Sequence, residues 1–155
     1  MEKDNLVDAV RDYLDANDWH YEYDPERRRI HAGLNLNCKL KKAKLHIHFR
    51  ETSYCVYIVL DLNADNDVLP QILKYTAMAN YGLPSGNFEV DVSDGEIRYK
   101  TYVDANGLDA LSKQVVEGSI YRGWNNIDRY GNGLAALLMG FSDPETEIEK
   151  AEKDD

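Results

Sequence analysis

The most constraining feature of the sequence is the stretch NFEVDVSDGEIRYKTYV, residues 87–103, in which apolar and polar residues alternate on both sides of an Asp-Gly pair. Strict alternation is typical of a strand with one buried face, and Asp-Gly favours a two-residue turn with positive φ at both central positions. Such a turn pairs Val92 with Ile97, and the same register sets Glu89 opposite Lys100. The sequence therefore predicts an antiparallel hairpin with one apolar face.

The part of the chain before residue 63 predicts one helix followed by four strands. Apolar residues recur at helical spacing over residues 4–17. Residues 19–36 alternate at period two around an Asp-Pro-Glu-Arg turn, and residues 44–62 predict two further strands around a tight turn. Because residues 55–60 are apolar on both faces, we expect the last of these strands to lie in the centre of the sheet.

Two helical regions flank the 87–103 hairpin in the sequence. Residues 67–81 predict a helix with Asp67 as its N-cap and a proline in its first turn. Residues 108–139 also have a helical pattern, but they contain four glycines, which weaken a helix interior. We therefore expect a break near residues 123–126 or at residues 130–131.

The predicted order of elements is α-ββββ-α-ββ-α(α), which corresponds to an α+β fold with an antiparallel sheet and helices packed on its apolar face. A chain of 155 residues suits a single domain, to which we assign residues 1–141. Acidic residues dominate from Asp143 onward, so residues 142–155 are predicted to form a flexible acidic tail.

The composition excludes several classes of function. A formal net charge of −10 repels phosphate backbones, so we expect no nucleic-acid partner. No apolar run approaches the roughly 20 residues of a bilayer crossing, and the N-terminal residues lack the apolar segment of a signal peptide, which predicts a cytoplasmic protein with no membrane partner. Cys38 and Cys55 have no metal-like spacing and are predicted to be free thiols.

The four histidines are the best candidates for site chemistry. KAKLHIHF, residues 42–49, places His46 and His48 on one side of a predicted strand. The registers that we expect set His20 opposite His31, and His31 opposite His48, so that all four imidazoles lie on the outward face. They could share a zinc or copper ion or respond jointly to pH, and the alternative is a polar face that only contacts solvent. No nucleophile, phosphate loop or carboxylate pair accompanies them, so we expect no enzymatic activity.

Two segments resemble the core signature of the YbjN family, whose members are described as bacterial sensory transduction regulators. They are ILKYTAMANYGLPSGNFEVDVSDGEIRYKTYVD and VVEGSIYRGWNNIDRYGNGLAALLMG. The shared features are a helix running into Asn80, the hairpin that follows it, and a helix with an Asp-Arg-Tyr segment and an apolar end at Gly140. The resemblance covers residues 4–140 and implies the α+β fold of class I type III secretion chaperones, which commonly form homodimers and bind partner polypeptides.

This resemblance implies a non-enzymatic, cofactor-free bacterial protein that acts in the cytoplasm by binding another protein or a peptide, as a homodimer. The alternative function is a metal- or pH-sensing module that uses the histidine face. We expect the apolar helical region to supply the partner or dimer surface, through Ile120, Trp124, Ile127, Tyr130 and Leu134.

Overall fold

The fold consists of two layers, an antiparallel sheet and a layer of helices on one of its faces. The computed structural model describes residues 3–153. Along the chain the elements are α1 (Lys3–Ala16), β1 (Glu22–Asp24), β2 (Arg29–Asn35), β3 (Lys42–Phe49), β4 (Ser53–Leu60), α2 (Leu69–Tyr81), β5 (Asn87–Val90), β6 (Ile97–Asp104), α3 (Lys113–Leu138) and α4 (Pro144–Glu152).

The six strands form one sheet in the order β1-β2-β3-β4-β6-β5, with every neighbouring pair antiparallel. This arrangement confirms the predicted α+β fold. It also places β4 between β3 and β6, in the central position that its apolar composition predicts. Side chains alternate as expected: Leu45 and Ile47 of β3 are fully buried under the helices, whereas Lys44 and His46 point to the opposite face.

The β5–β6 hairpin differs from its predicted register by two residues. Ile97 pairs with Val90 rather than Val92, because the connection is longer than a two-residue turn. The Asp91 N–H donates to the Glu96 carbonyl at 2.9 Å, and the N–H of Gly95, at φ +79°, donates to the Asp91 carbonyl at 2.7 Å. Because side chains alternate with period two, a shift of two residues leaves the paired residues of β5 and β6 on their predicted faces, whereas Val92 lies in the connection and is exposed.

Helix α2 begins two residues after its predicted cap. Val68 is the N-cap residue and makes no side-chain cap hydrogen bond, so the prediction of Asp67 as the N-cap is wrong. Pro70 lies in the first turn, where its missing N–H removes no helical hydrogen bond.

Helix α3 runs without interruption for 26 residues, so the predicted break is wrong. The glycines are places of close approach. A Cβ at Gly131 would overlap the Cys38 Sγ, and a Cβ at Gly133 would overlap the Tyr75 hydroxyl. Packing of the helix against its neighbours outweighs the low helix propensity of glycine.

Residues 144–152 form α4, which corrects the prediction of a flexible tail in this part of the chain. Asp143 is its N-cap and accepts a hydrogen bond from the Thr146 N–H at 2.9 Å. Ile148 is buried in the same core as the rest of the chain, so α4 belongs to the domain and no boundary falls at residue 141.

Both cysteines are free, as predicted: Cys38 is buried, and Cys55 is half-buried on the outward face of β4. None of the helices in residues 3–153 combines the length and the hydrophobicity that a bilayer crossing requires.

Candidate interaction surface

The residues predicted to supply a partner surface are mostly inside the protein. Ile120, Ile127, Tyr130 and Leu134 are at most 1% exposed, so they cannot contact a partner in this fold, and that assignment is wrong. The apolar stripe of α3 covers the sheet instead, which is the usual fate of an amphipathic stripe in a globular domain.

Trp124, the fifth predicted residue, is half-buried at the edge of the helical layer. Its ring stacks on Tyr121 with centroids 5.3 Å apart and meets the edge of Trp19 at 5.8 Å. Its indole N–H donates to the carbonyl of Asn35, the last residue of β2, at 3.2 Å. Trp124 thus connects α3 to the end of β2.

The other side of the sheet is the better candidate for a surface. We call the outward side of β2, β3, β4 and β6 the open face, because its side chains are exposed or half-buried while the opposite side carries the helices. Residues that pair across antiparallel strands share a face, so the registers arrange the open face in rows. The rows are Arg29–His48–Cys55–Tyr102, His31–His46–Tyr57–Lys100 and Gly33–Lys44–Val59–Arg98.

Three histidines lie on the open face, but their pairing differs from the prediction. His31 is opposite His46, with ring centroids 6.4 Å apart, and not opposite His48. The His31 Nε2 lies 3.0 Å from a carboxylate oxygen of Glu22, which takes the position predicted for His20. His48 lies in the next row, where its ring meets the edge of Tyr57 at 5.0 Å.

An open cavity of about 460 Å³ lies at the β2 side of the open face. Its lining combines charged, polar and apolar groups: His20, Tyr21, Glu22, His31, Ala32, Gly33, Lys44 and His46. Within residues 3–153 no group of three or more His, Cys, Asp or Glu side chains is arranged to hold a metal ion. The shared metal site predicted for the four histidines is therefore not formed in this arrangement.

Burial and neighbouring cations lower the pKa of two imidazoles. Burial, followed by the charges of Arg29, His46 and Arg98, lowers the pKa of His48 to about 4. Burial is also the main cause that lowers the pKa of His46, followed by His31, Lys44 and Arg29. Both side chains are consequently neutral near pH 7. The pKa of His48 lies below the range in which a cytoplasmic pH sensor would work.

The open face is basic although the chain is acidic. Arg29, Lys42 and Lys44 are exposed at outward positions of β2 and β3, strands whose outward positions hold no acid. Arg98 and Lys100 of β6 both contact Glu89 of β5, at 2.9 Å and 2.8 Å. Burial of Glu89 opposes ionisation, but these two hydrogen bonds outweigh it and lower the pKa of its carboxyl.

One edge of the sheet is also open. Pairing between β5 and β6 ends at Lys100, so the remaining residues of β6, Thr101–Asp104, have a strand neighbour only on the β4 side. The Ala105 N–H donates to the Thr52 carbonyl on that side. Backbone groups alternate between the two sides of a strand, so the N–H and C=O of Tyr102 point to the open edge.

Polar and apolar side chains surround this edge. A groove of about 410 Å³ separates the end of β6 from the start of α3, with Val115 and Arg122 among its lining residues. Tyr102 is 57% exposed and Val115 is 43% exposed. This edge was not predicted, although Pro84 and Gly86, in the three residues before β5, indicate that β5 is shorter than its partner.

Comparisons with known proteins rest on structure rather than on sequence. No family model matches the sequence, and no curated protein is significantly similar to it. Among solved structures, YbjN from E. coli, described there as a proposed transcription regulator, superimposes with a TM-score of 0.60 at 9% identity, over 86% of this chain and 89% of that chain.

Two structures of chaperone or partner complexes also superimpose. The ExsC–ExsE complex has a TM-score of 0.58 at 13% identity, covering 86% of this chain and 96% of that chain. The HopA1–SchA chaperone–effector complex has a TM-score of 0.54 at 12% identity, covering 86% of this chain and 98% of that chain. The predicted YbjN-like, type III secretion chaperone-like fold is thereby confirmed.

Proposed function

We propose that this chain is a non-enzymatic, cytoplasmic protein-binding module that captures an extended segment of a partner polypeptide, in a regulatory or chaperone-like role. We propose further that it acts as a homodimer. The observation that carries the proposal is the open edge of β6, because exposed strand edges recruit extended peptides through backbone hydrogen bonds.

The surroundings of the edge support a polypeptide ligand. The Tyr102 N–H and C=O are available for a ladder, since no hydrogen bond within residues 3–153 uses them on that side. Tyr102 and Val115 offer apolar area on either side of the same strand end. An added strand would therefore gain both backbone pairing and side-chain contacts.

The structural neighbours support the same role. Two of them were solved as complexes with protein partners, ExsE in one case and the effector HopA1 in the other. Because the identities are low, this likeness establishes the fold alone, and we infer partner binding from the fold together with the open edge.

Tyr102→Pro tests the edge directly. Proline removes the N–H that points to the open edge, and an edge strand tolerates proline where that N–H faces solvent. Tyr102→Thr is the matched control, because it removes the aromatic ring but keeps the N–H. With peptides selected from a random display library on the unmodified protein, we expect binding to weaken by about tenfold in Tyr102→Pro and by less in Tyr102→Thr.

The proposal fails if the selected peptides bind Tyr102→Pro as tightly as the unmodified protein, while circular dichroism shows that both variants remain folded. Sedimentation velocity of the untagged protein tests the homodimer separately, and a monomer at all concentrations would refute it. If Tyr102→Pro converts a dimer into a monomer, the open edge is instead the contact between two copies.

A further inference from the structure

We propose that the open face binds an acidic segment of the partner polypeptide, seated on Arg29, Lys42 and Lys44 and on the cavity beside them. This inference rests on the proposed function and names the chemistry of the partner, which neither the fold nor the comparisons specify.

Positive charge is concentrated on the open face of an acidic chain. The chain carries a net charge of −10, yet the outward positions of β2 and β3 hold cations and imidazoles without an acid. Within residues 3–153, no ion pair includes Arg29, Lys42 or Lys44. Lys42 and Lys44 lie opposite Asn35 and Gly33 on β2, so neither has a counter-charge there, and an acidic ligand would supply it.

The spacing of the two lysines on β3 matches that of an extended peptide. Lys42 and Lys44 are two residues apart on one strand, so their side chains leave the sheet about 6.5 to 7 Å apart. Alternate side chains of an extended peptide have the same spacing. A segment with acidic residues at every second position can therefore place successive carboxylates on successive cations when it lies along β3.

The cavity beside Lys44 offers space for a peptide and polar side chains to contact it. The cavity of about 460 Å³ adjoins Lys44 and contains His20, His31 and His46, which can exchange hydrogen bonds with a peptide backbone. At Gly33, on the same row as Lys44, a Cβ would have no atom within 4 Å, so the surface is recessed there. Glu22, beside His31, limits the acidic ligand to the β3 side of the cavity.

A nucleic acid fits the open face less well. A long polyanion extends beyond the patch into the field of a chain with net charge −10, whereas a short acidic segment contacts only the patch. Binding of single strands also requires free aromatic faces on which bases stack. The ring of Tyr57, in the row next to Lys44, is not free, because the Arg98 guanidinium lies over it at 4.2 Å and His48 meets it from the side. The exposed ring of Tyr102 lies on β6, two strands away from the lysines of β3.

The test compares two double variants of equal charge. Lys42→Gln/Lys44→Gln removes two of the three proposed cations, and Lys39→Gln/Lys113→Gln removes two exposed lysines elsewhere. The probe is a fluorescein-labelled peptide of about twelve alternating Glu and Thr residues, which favours an extended chain. We expect fluorescence anisotropy to show binding that weakens about fivefold or more in the first variant and less than about twofold in the second.

Glu89→Gln provides a variant with the opposite effect. It releases Arg98 and Lys100 from their shared carboxylate, so the same peptide should bind about twofold more tightly. Binding of the peptide should also weaken as salt rises from about 50 to 300 mM.

The inference is overturned if the Glu-Thr peptide does not bind at low salt, or if it binds both double variants equally. It is also overturned if an oligothymidine probe of the same length binds more tightly than the peptide. If the inference alone fails, Tyr102→Pro still weakens the binding of library-selected peptides by about tenfold. If the proposed function fails, the library-selected peptides bind Tyr102→Pro as tightly as the unmodified protein, whether or not the Glu-Thr peptide binds.

Discussion

The two faces of the sheet come from the same alternating sequences, yet they are built in different ways. On the helix side, Tyr75, Tyr99 and Tyr130 are almost completely buried, and Tyr75 and Tyr99 approach glycines of α3 closely. On the open face, the strand registers set which side chains are neighbours, and charged groups such as Arg98 and Glu89 form ion pairs there. Packing therefore determines what the covered face tolerates, whereas electrostatics determines what the open face can bind.

The largest expected effect lies on the covered face. Gly133→Ala would place a Cβ against the Tyr75 hydroxyl, with the ring carbon that bears it only 2.7 Å away. Because Tyr75 is fully buried, it has no free space to move into, and we expect a loss of about 3 kcal/mol in the free energy of unfolding. Urea denaturation followed by circular dichroism measures this loss.

Gly118→Ala is the matched control in the same helix. Its nearest neighbours would be side-chain atoms of Arg122 at 3.5 Å, an ordinary contact distance. Alanine has the higher helix propensity, so this variant should gain about 0.5 to 1 kcal/mol. Equal gains in both variants would show that helix propensity, rather than close packing, governs the effect of replacing the glycines of α3.

A smaller effect is expected from Tyr75→Phe. The Tyr75 hydroxyl donates to the Tyr130 carbonyl at 2.8 Å inside the core, and the variant loses this bond without creating a large cavity. We expect a loss of about 1.5 kcal/mol in unfolding free energy. Tyr81→Phe removes a hydroxyl from a side chain that is 97% exposed, and no measurable change there would confirm that burial makes the difference.

The smallest effect is expected on the open face, at His48. Its pKa of about 4 in the folded state lies below the ordinary value of 6.5, so the folded state binds fewer protons than the unfolded state between these values. The stability associated with neutral His48 is complete above about pH 6.5 and declines as the pH falls toward 4. With partial solvent screening, we expect a decline of about 1 kcal/mol.

His48→Gln should remove that pH dependence, and His20→Gln, at an exposed position outside the strands, serves as the control. Chemical denaturation of both variants between about pH 7 and pH 4 measures the slopes. An unchanged slope in His48→Gln would contradict the assignment of this pH dependence to His48.

The sequence predicted the side of the sheet on which a side chain lies better than it predicted which residues pair across the strands. Alternation placed Val90, Ile97, His46 and His48 on their correct sides, because period two is a local property. The turn around Gly95 was predicted two residues too short, since Asp-Gly fits both a two-residue turn and the longer connection found here. The register errors among β1, β2 and β3 changed which residues lie opposite the histidines, and with them the predicted metal site.

The candidate partner surface was predicted on the wrong side of a helix. An apolar stripe on α3 is visible in the sequence, but whether it covers a sheet or faces a partner depends on what packs against it. Residues 144–152 show the same dependence on tertiary contacts. Their acidic composition predicted flexibility, but burial of Ile148 against the core stabilises a helix there.

The sequence by itself determined the types and order of the elements from α1 to α3, the apolar side of each strand and the free state of the cysteines, because these follow from local periodicity and composition. Only the tertiary structure decided which strands run past their neighbours, which glycines are contact points and where the cations gather. These features depend on contacts between residues that are separated in the chain, such as Gly131 with Cys38 and Lys44 with Gly33, and no local pattern encodes such distances.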